Sequence, residues 1–168
     1  MGMEIERKFL LGRKPEELIA EGAFIRRSEQ KIEQTYLALD EQQEVRVRRL
    51  VDVDTGEVEH THTFKQGNGM SREEIEYSIT ASIYEQLFQA SGAVPLTKTR
   101  TTGEWNGFTV EIDRYEQLNL TVAEVEFESL EAAEAFEAPD WFGEDISSKR
   151  EYSNKKVWRD LQNRIHGG

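Results

Sequence analysis

Short runs along this chain set charged side chains at every second position. Glu4, Glu6 and Lys8 form the first, followed by Arg46 with Arg48, Glu74 with Glu76, Lys98 with Arg100, Glu111 with Asp113, and Glu124 with Glu126. A lone Lys65 stands ahead of Gly67. Carboxylates are hard oxygen donors suited to small divalent cations, whereas arginine forks and lysine point charges suit phosphate oxygens. Acids and bases are grouped run by run, although a face chosen for solubility intersperses them. Adjacent like charges repel unless something binds between them.

Spacing of two is the signature of a strand, on which alternate side chains share a face. Val45, Val47 and Val51 oppose Arg46 and Arg48, while Ile75 and Tyr77 oppose Glu74 and Glu76; Val110 and Ile112 oppose Glu111 and Asp113. The pattern predicts strands over Glu4–Leu10, Glu29–Ala38, Glu44–Val53, Glu57–Lys65, Arg72–Ile79, Leu96–Trp105, Phe108–Tyr115 and Leu120–Phe127. Asn106-Gly107 fits a two-residue type I′ hairpin turn and Asp54-Thr55-Gly56 another short hairpin. Helices are expected at Pro15–Glu21, at Ser82–Ser91 with a Ser82/Glu85 capping box and Gly92 as stop, at Ser129–Phe136, and at Ser153–Ile165 with Val157, Leu161 and Ile165 on one stripe. This is a mainly β (α+β) chain. Its strands are numerous enough to close an eight-stranded antiparallel β-barrel, or tunnel, with a few flanking helices. If the charged faces point inward, the lumen is a polyelectrolyte pocket; if outward, they are the wet side of an ordinary antiparallel sheet.

At 168 residues, with no repeat or linker, residues 1–168 are read as one domain. The formal charge of −12 disfavours nucleic acid and anionic membranes as partners, so any basic site must be local. No cysteine is present, which removes disulfides, thiolate metal sites and cysteine nucleophiles and agrees with a cytoplasmic location. Charges at Glu4, Glu6, Arg7 and Lys8 speak against a signal peptide, and no apolar stretch approaches a membrane span.

In this order the runs resemble the CYTH family, the triphosphate tunnel metalloenzymes. The resemblance rests on Glu4-Ile5-Glu6-Arg7-Lys8, Arg46-x-Arg48, Lys65 before Gly67, Glu74-x-Glu76, Lys98-x-Arg100, Glu111-x-Asp113 and Glu124-x-Glu126. It extends to about Asn154 and implies an eight-stranded tunnel, in agreement with the strand pattern. Members commonly carry an Arg directly before the Tyr of a Tyr-x-Asn element; here Glu151 precedes Tyr152, so Lys149 or Arg150 must supply that charge.

The resemblance implies hydrolysis of a small triphosphate, either inorganic tripolyphosphate or an organic triphosphate, with Mg²⁺ or Mn²⁺. Glu4, Glu6, Glu124 and Glu126 are the expected metal ligands, because such ions take carboxylates, phosphate and water rather than histidine. Lys8, Arg46, Arg48, Lys65, Lys98, Arg100 and Arg150 are expected to bind the substrate. Glu74, Glu76, Glu111 and Asp113 are supporting tunnel carboxylates. Glu4, Glu6, Lys8 and Glu126 form the catalytic set, with the attacking water oriented by Glu126, Glu124 or Glu4. Two other readings stay open: a class IV-type adenylate cyclase making cyclic AMP from ATP, and a non-catalytic module binding polyphosphate or organophosphate. His60-x-His62 could hold zinc, but shares the face of Val58 and Phe64 opposite Lys65. Trp105, Trp141 and Trp158 are expected to pack, and Gln66-Gly67-Asn68-Gly69 reads as a mobile connection with no P-loop pattern. Short helices cannot cover eight outer strand faces, which raises the expectation of a homodimer.

Overall fold

The computed structural model describes residues 2–67 and 70–166. Asn68 and Gly69 of the expected mobile connection lie outside the described residues. Strands β1 (Gly2–Leu10), β2 (Ile25–Leu39), β3 (Gln43–Asp52), β4 (Val58–Gln66), β5 (Ser71–Ser78), β6 (Leu96–Trp105), β7 (Phe108–Tyr115) and β8 (Leu120–Glu126) close into one barrel in the order β1-β5-β4-β3-β2-β6-β7-β8. Each neighbouring pair is antiparallel. Closure leaves no free sheet edge and turns the alternation along each strand into an inner and an outer surface.

The β6–β7 hairpin turns at Asn106 (φ 50°) and Gly107 (φ 80°), the two positive angles that a type I′ turn requires. Strand β2 begins at Ile25, earlier than the expected Glu29, and bends through irregularities at Arg26/Ser28 and Tyr36/Ala38. An extra residue on one strand shifts which side chains face inward. Leu39 consequently falls opposite inward-facing Glu44.

Among the described residues four α-helices flank the barrel: α1 (Pro15–Ala20), α2 (Ala81–Ser91), α3 (Leu130–Ala135) and α4 (Asn154–His166). The expected Ser82/Glu85 capping box does not form. Thr80, in extended conformation, is the N-cap of α2 and accepts from the Ile83 N–H, leaving Ser82 inside the first turn. Gly92 ends α2 in the left-handed region as expected.

Among the described residues two apolar clusters divide the packing. On the outside, Phe9, Val110, Ile112, Ala123 and Val125 meet Leu18 of α1 with Phe24, Phe136 and Phe142. The second cluster closes one barrel end, where inward-facing Tyr36, Leu96, Tyr115 and Val122 receive Val157, Trp158 and Leu161 of α4. Ile165 of the expected stripe is exposed, and Trp158 takes the third contact instead. Burying each such side chain stabilises the plug by about 1.5–3 kcal/mol.

Segment 143–147 lies along β1 where the pairing with β5 stops. Gly143 N–H donates to Leu10 O (2.8 Å), Leu10 N–H to Glu144 O (2.9 Å) and Ile146 N–H to Lys8 O (2.8 Å). A Cβ on Gly143 would stand 2.6 Å from Leu10 O, so only glycine permits this approach. The chain beyond residue 147 is thereby led across the mouth of the barrel.

Candidate active site

Directly opposed residues of an antiparallel pair share a face, so the register fixes which charges meet. Glu4 opposes Arg72, and Lys65 opposes both Glu74 and Glu44. Arg46 opposes Tyr36 and Arg48 opposes Gln34. Arg100 opposes Asp113, Glu111 opposes Glu124, Lys8 opposes Glu124, and Glu6 opposes Glu126. Every charged run named from the sequence therefore lies on the inner surface of one barrel. Arg150 reaches the same space from a 3-10 turn at Arg150–Tyr152.

Three clusters follow. In the first, Lys65 Nζ donates to both oxygens of Glu4 at 3.0 Å and sits 3.3 Å from Glu74. Arg72 joins Glu4 at 3.3 Å to Glu44 at 2.6 Å. Burial works against the Glu4 anion, but the Lys65 and Arg72 cations pull its carboxyl down to about 2. Burial lowers Lys65, helped by Arg46.

The second cluster has a sealed pair, Lys98 and Asp113, at its base, with Arg100 and Glu111 partly exposed. Lys98 Nζ lies 2.8 Å from Asp113 Oδ2, and Arg100 grips both Asp113 oxygens at 2.8 and 2.9 Å while reaching Glu111 at 3.1 Å. Asp113 is held well below the usual carboxylate range; burial opposes that, but Arg100 and Lys98 outweigh it. Burial, aided by Arg100 and Arg48, brings Lys98 down to about 7 despite its partner. Burial raises Glu111 to about 7, with Glu124 and Asp113 adding to the effect against Arg100.

The third cluster is acidic. Lys8 Nζ stands 3.9 Å from Glu124 and donates to Tyr152 O at 2.9 Å, which ties the C-terminal segment to β1. Among the described residues no base lies within ion-pair distance of Glu6. Burial raises its carboxyl well above the ordinary range, and Glu124 and Glu4 push it further. A cavity of about 280 Å³ opens here, lined by Glu6, Lys8, Glu44, Arg72, Glu124 and most of the stretch from Ile146 to Lys155, Glu151 excepted.

Between the clusters, Arg46 and Arg48 stand apart. Both are buried, at 2% and 6% exposure, and among the described residues neither has a carboxylate within ion-pair distance. Arg48 has Gln34 Oε1 at 3.1 Å, and the Nε of Arg46 is buried without a hydrogen-bond partner among the described residues. Burial lowers Arg48 to about 10, and Arg46 and Arg100 add to the effect.

Other residues differ from the sequence reading in depth or partner. Glu126 points the expected way but is exposed at the rim, beside a separate hollow lined by Phe108, Phe127 and Glu128. Glu76 is likewise exposed and accepts from the Thr63 hydroxyl at 2.7 Å. Of the two candidate C-terminal bases, Lys149 is paired with Glu144 (2.5 Å), which leaves Arg150 the unpaired one among the described residues. His60 and His62 lie on the outside against Tyr84 and Tyr77, at ring-centroid distances of 4.9 and 5.1 Å, so the zinc reading gives way to aromatic packing. Arg72 and Glu44 were not singled out in the sequence, although they continue the 72-74-76 and 44-46-48 alternations.

Among the described residues no group of three or more Asp, Glu or His side chains forms a preassembled metal centre. The donor chemistry still fits Mg²⁺ or Mn²⁺, which takes one or two carboxylates and fills its remaining positions with phosphate and water. Glu6 beside Glu124 is a crowded acidic pair that a divalent cation would relieve.

The CYTH domain family matches residues 2–159. An inorganic triphosphatase of Acetivibrio thermocellus is 31% identical over 160 residues, covering 94% of each chain. An inorganic triphosphatase of Nitrosomonas europaea is 36% identical over 102 residues, covering 59% of this chain and 68% of its own. The fold is similar to a crystal structure of an inorganic triphosphatase, with a TM-score of 0.62 and 31% identity over 94% of this chain and 95% of that one.

Proposed function

Because the chain belongs to the CYTH domain family, we propose that it hydrolyses the terminal phosphoric anhydride of a small triphosphate inside the barrel, with inorganic tripolyphosphate as the first choice of substrate. The observation that carries this reading is the pair Arg46 and Arg48. Two adjacent guanidiniums, buried and, among the described residues, without a carboxylate within ion-pair distance, are costly unless an anion with several charges is their occupant. Planar forks set two residues apart suit successive phosphate groups.

Residues of this chain then divide the work. Arg46 and Arg48 bind the polyphosphate, while Asp113, backed by buried Lys98, fixes Arg100 so that its guanidinium faces the same anion. Lys8, Lys65 and Arg150 neutralise from the sides. Such a preorganised array lowers the barrier by stabilising charge that develops in the transition state. Glu6 and Glu124 would hold Mg²⁺ or Mn²⁺, supported by Glu4 and by Glu126 at the rim. When bound, the ion supplies charge neutralisation on phosphate oxygens and a more acidic water. Water attacks the terminal phosphorus in line; the new P–O bond forms as the bridging P–O bond breaks, and tripolyphosphate yields diphosphate and orthophosphate.

We further infer a cytoplasmic protein that assembles as a homodimer. No helix of the described residues is long and apolar enough to cross a membrane, and Met3, Ile75 and Tyr77 leave the outer face of β1 and β5 exposed for a second copy. The functional test is phosphate release from tripolyphosphate, diphosphate, ATP and thiamine triphosphate with Mg²⁺ and Mn²⁺, together with a cyclic AMP assay. Release from tripolyphosphate supports the proposal. Cyclic AMP from ATP would replace it with the cyclase, and binding without turnover would replace it with a capture module.

A further inference from the structure

We propose that Arg72 is a further triphosphate-binding residue and that Glu44, which holds it in the resting chain, occupies the place a phosphate group takes on binding. The inference rests on the triphosphate reading above and adds a competing internal anion to it.

Glu44 is an unusual carboxylate. It is 3% exposed and stands on the same row of β3 as Arg46 and Arg48. One oxygen takes Arg72 at 2.6 Å, and the other, Oε2, is buried with no hydrogen-bond partner among the described residues. The Nε of neighbouring Arg46 is also buried without a hydrogen-bond partner among the described residues. Burial opposes the Glu44 anion, yet Arg46, Arg72 and Lys65 hold it below its ordinary range. One carboxylate thus serves three cations with only one close contact, and a phosphate group with more oxygens and more charge would serve them better.

Arg72 is placed to change partners. Its side chain is 18% exposed, it borders the 280 Å³ cavity shared with Glu6, Lys8 and Glu124, and it touches Glu4 only at 3.3 Å. A long flexible side chain can leave Glu44 for an incoming phosphate without any backbone movement. The exchange makes Glu44 a filter. Singly charged anions cannot repay the loss of the Arg72–Glu44 pair, whereas a polyphosphate spanning Arg46, Arg48 and Arg72 can.

The test is calorimetric titration of tripolyphosphate into the full chain in EDTA, so that no metal contributes. Glu44→Gln is expected to tighten binding about tenfold and Arg72→Gln to weaken it about tenfold, the ordinary size of a coupling between binding events. In the Arg72→Gln background, Glu44→Gln is expected to bring no tightening, because the released side chain is gone. An unchanged or weaker affinity in Glu44→Gln overturns the proposal, as does equal tightening with and without Arg72, which would mean simple relief of repulsion. Should thermal melting show Glu44→Gln unfolded, Arg72→Gln decides alone: wild-type affinity overturns the proposal and the tenfold loss supports it. A wild-type chain that binds no tripolyphosphate in EDTA overturns this proposal, which needs the arginines to hold the anion without metal; the triphosphate reading itself falls only if tripolyphosphate is also not hydrolysed with Mg²⁺ or Mn²⁺.

Discussion

Lys98 Nζ lies 2.8 Å from Asp113 Oδ2, and neither side chain has any exposed surface. A buried pair is weak evidence of stability, but removing one member leaves an uncompensated charge and costs about 3–5 kcal/mol. Asp113 also anchors Arg100 through two bonds, so Asp113→Asn strands two cations at once. Urea unfolding of that variant is expected to show a loss at the upper end of this range; a loss under about 1 kcal/mol would contradict the sealed pair.

Lys98 also sets a pH dependence. Its ordinary value of 10.5 falls to about 7 in the folded chain. Between these values the unfolded chain binds the proton and the folded chain does not, so stability from this group rises with pH. It is fully present above 10.5 and lost as pH falls to about 7. Glu4 acts at the other end. Its ordinary 4.5 drops to about 2, so its contribution is present above 4.5 and lost as pH falls towards 2. Wild-type denaturation midpoints are expected to gain more between pH 7 and pH 9 than those of Lys98→Met, because raised Glu6 pulls the other way in both chains, and to collapse below pH 4.5; equal changes in the two chains from 7 to 9 would refute the Lys98 assignment.

Glu6 offers a clean separation of stability from function. Glu6→Gln removes a like charge from beside Glu124 and Glu4 and is expected to raise stability by about 1 kcal/mol. The same change is expected to cut metal-dependent phosphate release by about 10²–10³. Glu4→Ala differs, because Lys65 and Arg72 lose their shared partner; a stability loss of about 1–3 kcal/mol accompanies its loss of activity. Thermal melts alongside phosphate release distinguish the two, and a fully active Glu6→Gln would disprove the metal-binding role.

Much of this arrangement was legible because strand alternation is strict. Once Glu4, Arg46, Lys98 and Glu124 are placed on strands, period two fixes the common face, and closure of the barrel brings the faces together. Depth was not legible. Glu126 and Glu124 share a face and differ only in distance from the rim, which depends on barrel stagger rather than spacing. Arg72 and Glu44 obeyed the same alternation, but their significance lies in a contact across β4 that no local pattern carries. The route of segment 143–147 along β1 was hidden as well, since it has no strand periodicity and depends on the missing Cβ of Gly143.

Arg48→Gln is expected to weaken tripolyphosphate binding by about 2–3 kcal/mol while leaving the melting temperature unchanged or higher, because a buried cation beside Arg46 is relieved. Parallel calorimetry and melting check this. Loss of the fold with no loss of affinity in the refolded fraction would show that Arg48 is structural.

The central claim is that a polyphosphate lies inside the barrel between the Arg46/Arg48 pair and the Glu6/Glu124 acids. A crystal structure of the chain with Mn²⁺ and a non-hydrolysable triphosphate analogue tests it directly, since the anomalous signal of manganese marks the cation. Phosphate oxygens within hydrogen-bond reach of Arg46 and Arg48, with manganese against Glu6 or Glu124, are the result this account requires. A triphosphate bound on the outer surface, with both arginines unengaged, would contradict it.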